Sequence, residues 1–157
     1  MPRVSPRPVG VLLGALALTG LAASPAAAAE GLMDGSITAE GQECGWTDAV
    51  TSDQAPNPLT VDRESLNAGL SCSGDTTATL NNDPTVTFDD TAGTITADVL
   101  DISVTMVGVT CRYQATDMSA QRDGDTRTYT ASVDIPLHEG GFLCPDPASV
   151  DASFTFR

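Results

Sequence analysis

The sequence predicts an all-β fold: an antiparallel β-sandwich of immunoglobulin-like architecture with two disulfides, a small β-barrel being the alternative. Three observations predict it. Apolar and polar residues alternate with period two through most of residues 76–156, turn-forming residues separate the alternating runs, and four cysteines follow a segment that reads as an export signal.

Taken in order, residues 1–28 read as a signal peptide. Arg3 and Arg7 supply the positive start, Val9 to Ala23 is an apolar run rich in Leu, Ala and Gly, and Ala26-Ala27-Ala28 offers the small residues that a signal peptidase accepts. Cleavage after Ala29 fits the residue types nearly as well. The apolar run is shorter than the ~20 residues that span a bilayer, so no transmembrane anchor is expected after cleavage. Residues 29–36 are expected to be a flexible N-terminal segment, and residues 37–157 the β-sandwich domain, a length that suits one core.

The clearest strand runs from Thr94 to Val107, where Leu100, Ile102, Val104 and Met106 share one face and Asp101, Ser103 and Thr105 the other. Val109, Cys111, Tyr113 and Ala115 repeat the pattern. So do Tyr129, Ala131, Val133, Ile135 and Leu137, and then Val150, Ala152, Phe154 and Phe156. Shorter runs lie at Thr76 to Leu80 and Thr85 to Phe88, where β-branched threonine suits a pleated surface. Asn81 to Pro84, Asp89 to Gly93, Arg122-Asp123-Gly124-Asp125 and Gly140-Gly141 carry the turns. Residues 62–70 allow one helical turn, but Gly69 and the short length argue for a loop. Trp46 follows Cys44 by two residues, unlike the Cys-to-Trp spacing of true immunoglobulin domains.

Export sets the reading of Cys44, Cys72, Cys111 and Cys144: outside the cell an even number of cysteines without C-x-x-C pairs reads as disulfides. Sequential pairing, Cys44 with Cys72 and Cys111 with Cys144, is the simplest for a succession of hairpins. Each loop removes roughly 3.5 kcal/mol of unfolded-state entropy on the chain-entropy model. Zinc ligation is not expected, because the only histidine is His138.

Formal charge is −14, and without Arg3 and Arg7 the remainder carries −16. Such a surface repels the phosphate backbone, so nucleic acid is excluded as a partner and anionic membranes are disfavoured. Catalysis is not expected. His138 is a lone histidine at a strand end, there is no G-x-S-x-G elbow, and lysine is absent. Asp89-Asp90, Asp123 with Asp125, and Asp146 fall in turns, where Asp is favoured for local hydrogen bonding. Asp123-Gly124-Asp125 and Asn81-Asn82-Asp83 offer oxygen ligands for weak surface calcium without matching an EF-hand loop. No cofactor or metal site is expected, and Tyr113 and Tyr129 are read as a structural cross-strand pair.

Two binding readings accompany the general one. The stiff segment Gly141-Phe142-Leu143-Cys144-Pro145-Asp146-Pro147 resembles the Streptomyces subtilisin inhibitors at its Cys-Pro pair, which implies a protease inhibitor with Asp146 at the specificity position. In composition and size the chain is similar to the enediyne-binding apoproteins, which implies a small-ligand carrier. With Cys111-Arg112-Tyr113 and a late Cys144-Pro145, residues 71–156 resemble the uncharacterised small secreted two-disulfide proteins of high-GC Gram-positive bacteria, which implies no activity. The expectation is a secreted, non-enzymatic binding or surface module, extracellular or associated with the cell wall, whose partner is an extracellular protein or a small ligand. Mass spectrometry of protein recovered from culture medium is expected to find residues 1–28 missing and no free thiol.

Overall fold

The computed structural model describes residues 29–157; the signal peptide expected at 1–28 lies outside the described residues. The elements are β1 (Gly31–Ala39), β2 (Gln42–Thr51), β3 (Leu59–Thr60), α1 (Arg63–Gly69), β4 (Ser71–Cys72), β5 (Thr76–Leu80), β6 (Thr85–Asp89), β7 (Thr94–Met106), β8 (Val109–Arg122), β9 (Thr128–Ile135), β10 (Leu137–Glu139) and β11 (Ala148–Phe156). Among the described residues these eleven strands make one antiparallel sheet in the order β3-β6-β7-β8-β9-β11-β1-β2-β4. Strand β5 adds to β7 and β10 to β8.

The all-β antiparallel class is therefore the one the chain adopts. Hydrogen bonds join the strands in a single sheet, however, not in the two separate sheets of an immunoglobulin-like sandwich. The reason lies in β7 and β8, which turn a corner instead of ending. Ala97 pairs with Met118 and Val99 with Thr116, so Asp98 and Asp117 drop out of the ladder together. Asp117 takes a left-handed φ of 54°, a conformation aspartate tolerates better than most residues. The Asp98 carboxylate accepts from the Thr85 and Val99 amides at 2.8 and 2.6 Å, which holds the corner. One half of β7 then pairs with β6 and the other half with β5.

The sheet also meets itself. Residues 50–52, at the end of β2, exchange backbone bonds with 60–62 through Ser52 N to Thr60 O and Asp62 N to Val50 O, both 2.9 Å, around a bridge between Thr51 and Val61. Strands that are far apart in the ladder order thus face one interior. Met33, Trp46, Leu59, Val61, Leu66, Leu80, Val86, Ile95, Ala120, Tyr129 and Phe156 pack there as one cluster, and Cys111, Tyr113, Ile135, Cys144 and Ala148 as a second.

Residues 31–36, expected to be flexible, lie within β1, which is paired with β11 on one side and β2 on the other. The alternation is masked there by Asp34 and Gly35. Gly35 is required by its neighbour: a Cβ would stand 2.3 Å from Cζ2 of Trp46, whose ring crosses β1 to reach Phe154 at 6.1 Å between centroids. Residues 63–69 form a helix where a loop was expected. Asp62 caps it by accepting from the Ser65 amide at 2.6 Å, and burial of Leu66 offsets the cost of so short a helix.

Tyr113 and Tyr129 are not a cross-strand pair. Tyr113 stands opposite Ile102 and Leu137, whereas Tyr129 stands opposite Arg122 and Phe154 and packs edge-on against Phe88 and Phe156.

The helix is tied to the sheet by one side chain. Asn67 donates to the Leu80 carbonyl at 2.9 Å and accepts from the Leu80 amide at 2.8 Å, which satisfies both backbone groups of a buried residue. Asn67→Ala is expected to lower unfolding free energy by about 1–3 kcal/mol, measured by chemical denaturation, because those groups then lose their partners without gaining water.

Candidate functional site

Alternation decides which side chains face the interior, and composition decides how well they fill it. The inward positions include Ala39, Ala78, Ala97, Ala120, Ala131, Ala148 and Ala152, with Ile, Leu and Val between them. Aromatic residues make up only 4% of the chain, so few side chains are long enough to meet across a rolled sheet of this size. The result is an apolar cavity of about 160 Å³, lined by residues of both clusters and of nearly every long strand. Protein interiors rarely hold voids much larger than a water molecule. At ~24 cal/mol per Å³, an empty space of this size costs about 4 kcal/mol. The lining also departs from an ordinary core in burial: Leu100, Ile102, Val104, Met118, Val133, Val150 and Phe154 are only half-buried.

No polar atom contributes to the accessible wall. The ionisable side chain nearest to it is Tyr113, whose hydroxyl is turned away and donates to the Pro145 carbonyl at 3.2 Å. Burial raises the Tyr113 pKa, so the ring stays neutral. Trp46, the single tryptophan of the chain, lines the cavity with its indole N–H buried and without an acceptor.

The wall is interrupted at one place in the ladder. Strands β8 and β9 pair only at Gln121 with Thr130 and Arg122 with Tyr129, and β8 is next met by β10 at Tyr113 and Arg112. Between these points lies a seam, bordered by residues 115–120 of β8 and 131–135 of β9. Met118, Ala120, Ala131, Val133 and Ile135 on its borders line the cavity, and Ser119 on the same border is the lining residue that is exposed.

The residues singled out from the sequence lie elsewhere. Cys44 is bonded to Cys72 and Cys111 to Cys144, with Cα atoms 3.9 and 5.7 Å apart. The first bond fastens the two-residue β4 to β2, and the second fastens the loop after β10 to β8. His138 is exposed on β10. Asp89 accepts from the Thr91 and Ala92 amides within its own turn, Asp90 pairs with Arg122, and Asp146 accepts from the Leu137 amide. None of these carboxylates faces the cavity.

Asn81, Asn82 and Asp83 are engaged with the protein itself. Asn81 donates to Asp101 and Ser103, Asn82 binds Val99 O and Asp101 N, and Asp83 accepts from the Arg63 amide. Among the described residues no group of three or more His, Cys, Asp or Glu side chains is placed to hold a metal ion. Phe142 and Leu143 are exposed in the middle of a turn closed by Cys144 N to Gly141 O at 2.9 Å. What sequence reasoning missed is the cavity and its seam. The signal available for them was the excess of alanine over aromatic residues at inward positions.

Outside the wall, Asp101 is buried on the other face of β7 and held bidentately by Arg112 at 2.6 and 2.9 Å. The Arg112 guanidinium, aided by the Asn81 amide, keeps the Asp101 carboxyl below the usual carboxylate range despite its burial. A depressed folded pKa contributes stability that is present above the unfolded value of ~3.9 and is lost as pH falls through the folded one. Denaturation midpoints are therefore expected to fall on acidification below about pH 4. In Asp101→Asn this part of the acid dependence should vanish, while stability at neutral pH drops by about 1–3 kcal/mol through the weakened Arg112 contact.

No protein-family model, no curated protein and no solved structure matches the chain.

Proposed function

We propose that the chain is an exported, non-catalytic binding protein whose partner is a small apolar ligand held inside the rolled sheet. The observation that carries this reading is the cavity: apolar throughout, and lined in good part by residues that are only half-buried. A void of similar size in an engineered protein core takes up benzene, which sets the scale of the ligand at one ring or a short alkyl chain. Two disulfides support export, since such bonds persist in oxidising surroundings. Among the described residues no helix is long and apolar enough to cross a membrane.

Non-catalytic action is supported by the wall, which presents the space with no nucleophile, base or charged group. A purely structural surface role leaves the cost of the cavity without a return. The protease-inhibitor reading has less support. An inhibitory loop must enter the protease extended, whereas Phe142 and Leu143 sit in a tight turn.

Trp46 reports on occupancy. Titration with toluene is expected to change its fluorescence and to raise the unfolding free energy, by about 2.7 kcal/mol at a hundred times the dissociation constant. Ala97→Leu, which fills part of the space, should weaken binding at least tenfold. Unchanged fluorescence and an unchanged melting midpoint across a panel of small apolar compounds would falsify the reading.

A further inference from the structure

Exposed apolar side chains scattered singly over a surface need no explanation. Here they are gathered. Among the described residues the large hydrophobic side chains left in solvent are Val107, 93% exposed, Phe142, 97%, and Leu143, 62%. All three stand at one end of the rolled sheet. Val107 is in the β7–β8 turn, and Phe142 and Leu143 are in the loop after β10, which the Cys111–Cys144 bond fastens to β8 just past that turn.

Both tips are stiff, and one is held against its backbone preference. Val107 and Gly108 take left-handed φ of 49° and 78°, the two-residue hairpin turn for which Asn-Gly is the favoured sequence. A β-branched residue is an outlier on that backbone, and an apolar one gains nothing from water. Strain of this kind gathers at sites of function. Phe142 and Leu143 are the central residues of the turn closed by Cys144 N to Gly141 O at 2.9 Å. A Cβ on Gly140 would stand 2.6 Å from Cys144 Sγ, so the loop is packed tightly onto its disulfide. Side chains presented in this way lose little freedom when a partner buries them.

Charge around the tips bears on what covers them. Gln42 accepts from the Ser73 and Thr76 hydroxyls, and Thr76 pairs with Met106, which brings the β1–β2 turn and residues 73–75 to the same end. Glu40, Glu43, Asp75, Glu139 and Asp146 are exposed there. The arginine at this end, Arg112, is held by Asp101 and Glu139, whereas Arg122, Arg127 and Arg157 lie at the opposite end, with the β8–β9 turn and the end of β11. A second copy or an anionic membrane would set like charge against this rim.

We propose that this end is a protein-docking surface, on which Val107, Phe142 and Leu143 enter an apolar pocket bordered by Lys and Arg on another protein outside the cell. The apolar tips supply affinity, and the acidic rim supplies the choice of partner. The contact needs no ligand in the cavity and stands or falls apart from it.

The test uses the disulfide-bonded protein from residue 29 onward. Val107→Asn supplies the residue that the turn prefers, so it is expected to raise the melting midpoint while weakening partner binding. A valine kept for the fold alone predicts a lower midpoint. The protein carrying benzoylphenylalanine at position 142 is irradiated with the secreted and surface proteins of the producing organism. One protein is expected to form an adduct, through a segment flanked by Lys or Arg, and excess natural chain should compete it away. Val107→Asn and Phe142→Ser should compete at least about tenfold less well. Thr91→Ala, an exposed position at the far end, should compete like the natural chain. Molar salt should suppress the adduct. The proposal is overturned by the absence of a competed adduct, by an adduct with a second copy or one that persists at molar salt, or by sedimentation with phosphatidylcholine vesicles that Phe142→Ser abolishes. It is equally overturned if Val107→Asn competes like the natural chain or melts lower.

Discussion

The fold depends on how the long hairpin of β7 and β8 turns its corner. Straight, these strands would fill one flat sheet and the remaining strands would have to build another. The paired omission of Asp98 and Asp117 interrupts the ladder at one place and leaves the register on either side unchanged, so both strands continue past it together. Everything else follows from that bend. β6 and β5 share one edge of β7 along its two halves, and residues 60–62 come round to meet the end of β2. One interior is enclosed by a single sheet.

Enclosure by strands sets a perimeter, and the perimeter sets a volume that side chains must fill. This chain has few large ones. Phe88, Tyr129 and Phe156 gather at one side, with Trp46 and Phe154 beside them, and close that part of the core. Opposite them, alanines and valines leave the space unfilled. The disulfides offset part of what the missing packing costs, Cys44–Cys72 securing a strand too short to hold by its ladder and Cys111–Cys144 securing a loop with almost no core of its own.

Much of this was legible in the sequence, and the reasons are physical. Alternation on Leu100, Ile102 and Val104, or on Tyr129, Ala131, Val133 and Ile135, reports directly which side chains face inward, because a strand has only two faces. Reading α1 as a loop went wrong because a seven-residue helix that buries one leucine has no periodicity to display. Its evidence was local, in Asp62 followed by Ser65. The Tyr113–Tyr129 pairing failed because it needed the register of β8 against β9, and those strands part where a simple hairpin would have continued. The cavity and the seam are properties of closure. They depend on how residues distant in sequence meet, which no single strand encodes.

As backbone, the seam between β8 and β9 is a pair of strand edges left without ladder partners inside an otherwise continuous sheet. Such edges invite another chain to lie alongside them, which is how sheets grow from one molecule into the next. Here the invitation is blunted by a kink at Asp117 and by carboxylates on both borders, so an incoming strand meets a bent template and like charge on an acidic protein. Charge on these borders thus works against strand pairing between copies of the molecule.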